Sequence, residues 1–245
     1  MKKLFAFVVA VGIVVILGAC SKQSEVSEEA LDRLEACSQR MSELESLHFN
    51  VGMDMMEQNS KMELNGSFIS EGPQLSMVMT LEAQGNSMND FMELYLKDNM
   101  VYLSALGTKM AQPIEADIPM GSKGMEFDRE ELKKYLEEAT VDGDTLHMVL
   151  KKEWLEMSNA QLKQMATASD AKINNIFWDI ELEDDYMTNM ALTLTGTDEK
   201  GKAFEFVINV VLDQFNNVEE IDFPQDLDEW PSAQEADGVL SGLLE

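Results

Sequence analysis

The first periodic pattern in the chain is an apolar stripe that begins just after Ser27. Its members recur at spacings of three and four residues, the period of an α-helix with one buried face: Leu31, Leu34, Cys37, Met41, Leu44 and Leu47. Glu28 and Glu29 follow Ser27, where acidic side chains complement the positive N-terminal end of a helix. The sequence therefore predicts a helix from Ser27 to about Leu47.

From His48 onward the apolar period changes to two, which is typical of strands with one buried face. Turn residues such as Glu71-Gly72-Pro73 and Gly85-Asn86 separate the runs at hairpin distances and favour antiparallel pairing. The first set of runs is Phe49, Val51, Met53, Met55; Met62, Leu64, Gly66, Phe68; Leu75, Met77, Met79, Leu81; Met92, Leu94, Leu96; and Met100 to Ala105. The second set is Ile176, Trp178, Ile180, Leu182; Met190, Leu192, Leu194; Phe204, Phe206, Ile208, Val210, Leu212; and Val218 to Phe223.

The segment between the two sets carries other signals. Prolines and glycines predict irregular structure from Gly107 to about Asp128. Asp128 is then a candidate helix cap for a run through Leu132, Tyr135, Leu136 and Ala139, and Ser158 for a run through Leu162, Met165 and Ala166. We predict a helical insertion from about Asp128 to Ala168.

These elements predict an α+β fold with about nine antiparallel strands and helices against one face of the sheet. A sheet of that size rarely stays flat, because strand twist accumulates, and it curls into an open or closed barrel. We therefore expect a strongly curved sheet.

The N-terminus predicts export. Met1-Lys2-Lys3 precedes an uncharged run from Leu4 to Ala19 that is too short for a settled membrane span. The run ends in Leu17-Gly18-Ala19-Cys20, which resembles the bacterial lipobox, whose cysteine receives a diacyl lipid before cleavage. The alternatives are an ordinary secretory signal or an uncleaved anchor. We predict a signal peptide over 1–19, a lipidated Cys20 with a tether over 20–27, one domain over 28–224 and an acidic tail over 225–245.

Charge limits the partners of the exported domain. The chain has 18 basic and 46 acidic residues, a formal net charge of −28, and loses two lysines with the signal peptide. Phosphate backbones and anionic headgroups repel such a surface, so we expect no nucleic-acid partner, and close contact with a bilayer surface is disfavoured. An acidic exterior keeps the domain soluble and would also suit a basic protein partner.

Candidates for catalysis or metal binding are few. His48 and His147 are the two histidines, and neither belongs to an HExxH pair. The chain lacks the GxSxG and GxxxxGK[ST] motifs, and the acidic turns at 142–144 and 181–185 lack EF-hand spacing. Cys37 lies in the helical stripe and is predicted to be a small buried residue. We predict no enzymatic activity, no metal and no cofactor.

The 19 methionines are the most unusual feature of the composition. Methionine is flexible and polarizable, and it recurs on apolar surfaces that must fit more than one shape. A filled, Met-rich core would explain the same residues, and the sequence leaves both interpretations open. If a cavity exists, its predicted lining is Phe49, Val51, Met53, Met55, Leu64, Phe68, Met77, Met79, Trp178, Ile180, Leu192, Phe206 and Ile208.

Several local sequences resemble a family of uncharacterised lipoproteins common in Gram-positive bacteria. Besides the lipobox and the Met-rich strands, they are Leu44-Glu45-Ser46-Leu47, the run from Glu93 to Tyr102, and Ile221-Asp222-Phe223-Pro224. That family is related in fold to LolA-like and LppX-like carriers. The resemblance implies an open half-barrel with helices on its concave face, around an apolar cavity that accepts acyl chains.

Two functions follow as hypotheses. The first is a non-enzymatic lipoprotein, anchored on the extracytoplasmic side of the cell membrane through Cys20, whose cavity binds lipid or another acyl-bearing ligand. The second is a surface interaction or sensor lipoprotein with a filled core, which meets a protein partner through its acidic face. They differ in what fills the concave side of the sheet.

Overall fold

A computed structural model describes residues 26–55, 60–83, 85–114, 128–157, 172–198 and 200–232. Helix α1 (Glu28–Ser42) begins where Ser27 Oγ accepts a hydrogen bond from the amide of Ala30 at 3.4 Å. The predicted helix is confirmed, but it ends before Leu44 and Leu47. Leu47 is in the first strand, opposite Phe68, because strand pairing takes over the backbone hydrogen bonds there.

The strands of the described residues form one 11-stranded antiparallel sheet. Their bounds are β1 (Ser46–Met55), β2 (Ser60–Ile69), β3 (Gln74–Ala83), β4 (Asn86–Lys97), β5 (Met100–Ala105), β6 (Thr108–Pro113), β7 (Leu136–Asp142), β8 (Thr145–Leu150), β9 (Lys172–Glu183), β10 (Tyr186–Thr197) and β11 (Ala203–Asp213). Two short helices complete the secondary structure that positions the sheet: α2 (Arg129–Tyr135) and α3 (Trp154–Met157).

The sheet consists of two meanders joined side by side. At the centre of the sheet β1 pairs with β11. From there, strands β1 to β6 follow one another toward one edge, and strands β11 to β7 follow one another toward the other edge. Strands β6 and β7 lie at opposite edges and do not pair, so the sheet is open. The predicted fold class, an open antiparallel sheet with helices on one face, is confirmed.

Register brings the alternating apolar residues onto one face. Across neighbouring strands, Met148 lies opposite Trp178, Trp178 opposite Leu192, Leu192 opposite Ile208, and Ile208 opposite Met53. Because strand side chains alternate between faces, this row defines an inner, apolar face and leaves an outer face that is mainly polar. Helix α1 packs on the inner face, mostly against β7 and β10.

The core fills the inner face beneath α1. Its buried residues combine the stripe of α1 with side chains of α2, α3 and both meanders: Ala30, Leu31, Leu34, Cys37, Met41, Leu44, Leu47, Phe68, Leu132, Leu136, Ala139, Leu146, Met148, Leu150, Leu155, Ile173, Ile176, Ile180, Leu182, Met187, Leu194, Phe204 and Leu212. The burial predicted for Cys37 is confirmed.

The two ends of the sheet differ. At the end that we call the capped end, Arg33 Nη1 of α1 donates to the carbonyl of Gly143 at 2.6 Å. The carbonyl of Ser46 accepts there from Asn216 N at 2.8 Å. At the opposite end, which we call the open end, lie the turns at Gly85, Leu106–Gly107 and Gly201, the start of β7 and the end of β8.

The prediction of a helical insertion from about Asp128 to Ala168 was wrong in part. Asp128 does cap a helix, since its Oδ1 accepts from Glu131 N at 2.9 Å, but that helix stops at Tyr135. Leu136 and Ala139 belong to β7, which pairs with β8. Hairpin pairing with β8 overrides the helical spacing, because it buries both side chains in the core. The helix predicted from Ser158 lies outside the described residues.

Two further segments differ from the prediction. Part of the segment expected to be irregular forms β6, an edge strand that ends at Pro113, where a missing N–H is tolerated. The predicted strand over Val218 to Phe223 is absent from the described residues, which have no regular structure there. Ile221 and Leu227 are instead buried as the chain crosses the outer face.

Residues 221–232 form a segment that we call the C-terminal strap. Trp230 is buried in the strap and makes edge-to-face contacts with Tyr95 and Tyr102, each with ring centroids 6.0 Å apart. The amide of Ala111 on β6 donates to the carbonyl of Pro231 at 2.8 Å. The strap thus covers the outer face of β4 to β6 and reaches the β6 edge.

Candidate functional site

The inner face divides into a buried part and a half-buried part. Side chains facing α1 are buried, whereas those on β1 to β6 and on parts of β9 to β11 keep part of their surface exposed. We call this second set the apolar wall: Phe49, Val51, Met53, Met62, Leu64, Leu75, Met77, Met79, Leu81, Met92, Leu94, Val101, Leu103, Met110, Trp178, Met190, Leu192, Phe206, Ile208 and Val210.

The wall is continuous because paired strands place its residues side by side. Met79 lies opposite Leu64 on one side and opposite Met92 on the other. Leu64 in turn lies opposite Val51, which faces Val210. Apart from the indole N–H of Trp178, the side chains of the wall carry hydrocarbon and thioether groups, so the main chemistry that the wall offers a ligand is apolar burial.

Most of the predicted lining residues are in this wall. Phe68 and Ile180 are exceptions: they are 8% and 0% exposed and belong to the filled core. Met55 is the last residue of β1, opposite Ser60, and its side chain lies outside the described part of the structure. That the remaining residues line a ligand site stays a prediction. They share one face, as the alternation required.

The sequence-based list omitted wall residues that the fold adds. Met62, Leu81 and Met92 alternate with the predicted residues, and hairpin register alone would have added them. Met110 required the structure, because β6 has no apolar alternation that marks it as a strand.

Titratable groups lie away from the wall. On the outer face, His48 Nδ1 is 2.8 Å from Asp213 Oδ1, and His147 Nδ1 is 2.6 Å from Asp179 Oδ1. Burial raises the pKa of the Cys37 thiol to about 12, so this cysteine is a thiol at neutral pH. Among the described residues, His, Cys, Asp and Glu side chains form no group of three that could hold a metal ion.

The lipobox and Cys20 lie outside the described residues, so the lipid anchor stays a prediction. Within the described ranges, no helix combines the length and the apolar character needed to cross a bilayer.

Comparison with known proteins adds information about the fold. No family model and no curated protein matches this chain. Among solved structures, LprF from Mycobacterium bovis superposes with a TM-score of 0.50 at 10% identity, covering 83% of this chain and 100% of LprF. The fold is LolA/LppX-like. This confirms the fold that the sequence resemblance implied.

Two other solved structures align less closely. The lipoprotein LppX from Mycobacterium tuberculosis has a TM-score of 0.42 at 8% identity, covering 81% of this chain and 100% of LppX. An uncharacterized conserved protein from Thermus thermophilus has a TM-score of 0.36 at 13% identity, covering 81% of this chain and 94% of that protein.

Proposed function

We propose that this protein is a membrane-anchored, extracytoplasmic lipoprotein that binds lipid or another acyl-bearing ligand on its apolar wall without chemical catalysis. The observation that carries the proposal is the extent of the wall, which crosses strands of both meanders and keeps part of its surface exposed. Soluble domains rarely expose a contiguous apolar surface of that extent unless it binds something.

The affinity would come from removing hydrocarbon from water. Each buried CH₂ group contributes about 0.8 kcal/mol, so an acyl chain of about 16 carbons gains on the order of 10 kcal/mol before the entropic cost of binding. Methionines such as Met53, Met77 and Met79 adapt their shape to a flexible chain. The site would therefore select for acyl chains as a class more than for one particular chain.

The anchor at Cys20 is part of the same proposal. A diacylated cysteine provides the two chains that a durable membrane attachment requires. The tether over 20–27 would hold the half-barrel close to the membrane, where acyl-bearing ligands are concentrated.

The first experiment uses the mature chain with Cys20→Ser, purified in folded form and examined by native mass spectrometry and organic extraction. We expect a copurifying acyl ligand, or uptake of a fluorescent fatty acid by ligand-free protein. A ligand-free mass with no uptake would reject the proposal. It would then favour an interaction protein with an acidic face, whose partner binding weakens with salt.

A matched pair of variants locates the site. Met79→Gln places an amide of similar size on the wall, and Thr80→Gln places the same group on the outer face, where Thr80 lies opposite Glu63. We expect the first variant to weaken fatty-acid uptake about fivefold, roughly 1 kcal/mol, and the second to leave it unchanged. Met79→Leu should retain uptake because it keeps the hydrocarbon.

A further inference from the structure

The N-terminal tether meets the sheet with a defined direction. Val26 forms a parallel bridge with Ala139, and the amide of Ser27 donates to the Ala139 carbonyl at 2.9 Å. Strand β7 runs from Leu136 at the open end to Asp142 at the capped end. Since the bridge is parallel, the chain comes to Val26 from the side of the open end.

The length of the tether limits how far from the sheet a lipid on Cys20 can lie. Cys20 precedes Val26 by six positions, which gives a reach of at most about 20 Å. The distance along β7 from Ala139 to Leu136 is about 10 Å at the usual rise per residue. A lipid on Cys20 can thus enter a bilayer that lies against the open end.

Several cations at the open end have no anionic partner among the described residues. Four exposed lysines lie there, and within the part of the chain that the structure describes none of them makes an ion pair or a ring contact: Lys134, Lys152, Lys172 and Lys200. Other cations at the same end are paired, Lys61 with Glu63 and Lys109 with Asp226, and away from it Arg33 pairs with Asp144 at 3.1 Å.

Unpaired lysines are unexpected in this chain, because its 46 acidic residues far outnumber its 18 basic ones. Asp198, two residues before Lys200, accepts from the amides of Lys200 and Lys202, each at 2.8 Å. Its carboxylate is therefore turned toward the backbone of its own turn. Among the described residues these four lysine ammonium groups have no anionic partner, and they are available for an external anion.

Exposed hydrocarbon lies on the other half of the same end. Leu106 is 65% exposed, at the tip of the β5–β6 turn, with φ 51°, a left-handed conformation that leucine rarely adopts. The Leu106 amide donates to the carbonyl of Phe91 at 3.1 Å, which fixes the turn. Met88, near the start of β4, is 43% exposed.

From these observations we infer that the open end of the half-barrel is the membrane-facing end and binds a bilayer that contains anionic phospholipid. The four lysines contact headgroup phosphates, Leu106 enters the interface, and the apolar wall opens toward the acyl chains. The inference deepens the proposed function and rests on it for the anchor at Cys20. It differs from the sequence-based expectation that close contact of the acidic surface with a bilayer is disfavoured, and limits that expectation to the surfaces away from the open end.

The first test uses the mature chain with Cys20→Ser, which has no lipid of its own. Leu106→Cys and Asn99→Cys each place one reactive thiol in a β-turn, at the open and the capped end respectively, while Cys37 is buried. An environment-sensitive fluorophore at position 106 should shift to the blue on vesicles of phosphatidylcholine with phosphatidylglycerol, and the same fluorophore at 99 should not. A shift at 99, or at neither position, overturns the inference.

A second test uses matched charge changes. Lys172→Gln with Lys200→Gln removes two charges from the open end, and Arg40→Gln with Lys97→Gln removes two from the capped end. A lysine near an anionic surface contributes about fivefold to membrane affinity, so the first pair should weaken vesicle binding by about 25-fold and the second should not. Equal binding by both pairs contradicts the inference. We expect neither pair of changes to alter fatty-acid uptake in solution. Measuring that uptake therefore tests the proposed function separately from membrane binding.

Discussion

The ring of Phe49 lies over the backbone of Gly66, its cross-strand partner on β2. A Cβ atom at position 66 would lie 2.5 Å from Phe49 Cζ and 2.4 Å from the carbonyl oxygen of Ser76. The strand accepts this glycine because the aromatic ring covers the exposed backbone in place of a side chain. Phe49 thereby links the filled core to the apolar wall.

Gly66→Ala is therefore expected to lower the free energy of unfolding by about 1–3 kcal/mol, the usual cost of overpacking. Urea denaturation measures the change. Gly52→Ala is the control, because Gly52 is also in a strand and a Cβ there meets nothing within 4 Å. Equal effects of the two changes would show that the contact with Phe49 is unimportant.

We expect the buried thiol of Cys37 to make the folded protein less stable in alkali. Its folded pKa of about 12 lies above the ordinary value of 9.0 because the thiol is buried. Above pH 9 the unfolded chain holds fewer protons at this site than the native protein, so unfolding becomes easier as the pH rises toward 12. Cys37→Ala should reduce that slope in urea titrations at several pH values. An unchanged slope would contradict the assignment.

The burial of Cys37 also predicts that its thiol reacts slowly. Cys37 in the folded Cys20→Ser protein should react with a thiol reagent at a rate limited by opening of the structure. Adding urea should accelerate labelling in parallel with unfolding. Labelling that is complete within the mixing time in buffer would show that the thiol is accessible.

From the burial of Trp230 we expect the C-terminal strap to stabilise the sheet. Trp230→Ala removes a buried ring that contacts Tyr95 and Tyr102 and should cost about 3 kcal/mol in chemical denaturation. Asp228→Ala, in the same segment but exposed, should have little effect. If both variants unfold at the same denaturant concentration, the strap makes no stabilising contact.

Arg129 joins α2 to α1 through three carboxylates: Arg129 Nη2 is 2.5 Å from Glu28, and Nη1 is 2.5 Å from Asp32 and 2.9 Å from Glu35. Arg129 holds the pKa of Glu28 below its usual value. The stabilisation is therefore present at neutral pH and lost as acid protonates Glu28. Arg129→Met should lower the Tm at pH 7, with a difference that shrinks toward pH 3. Lys134→Met is the control, and a pH-independent difference would contradict the ion-pair account.

Much of the strand arrangement was predictable because each hairpin is local. The alternation from Phe49 to Leu81, with turns at Glu71-Gly72-Pro73 and Gly85-Asn86, predicted strands that the structure confirms as β1 to β3. The alternation of Leu146, Met148 and Leu150 was also present but short, and it lies between helical signals, so β8 was missed. Strand β6 was missed because an edge strand requires no apolar period.

From the sequence, the candidate site could be predicted only as a set of residues on one face of the sheet. Alternation placed Val51, Met53, Met77 and Met79 together, and the structure confirms their common side. It could not show that Ile180 is sealed in the core beneath the helices. That partition depends on which strands α1 covers.

The sequence alone determined the periodicities: the helical stripe of α1, the two sets of alternating strands, and the burial of Cys37. These follow from local spacing, because the side chains of a helix or a strand repeat with a fixed period. Only the tertiary structure decided that β1 pairs with β11, that the sheet stays open, that the strap covers β4 to β6, and that four lysines without an ion pair among the described residues share one end. Those features arise from contacts between residues far apart in the chain, whose pairing is set by the packing of the whole sheet.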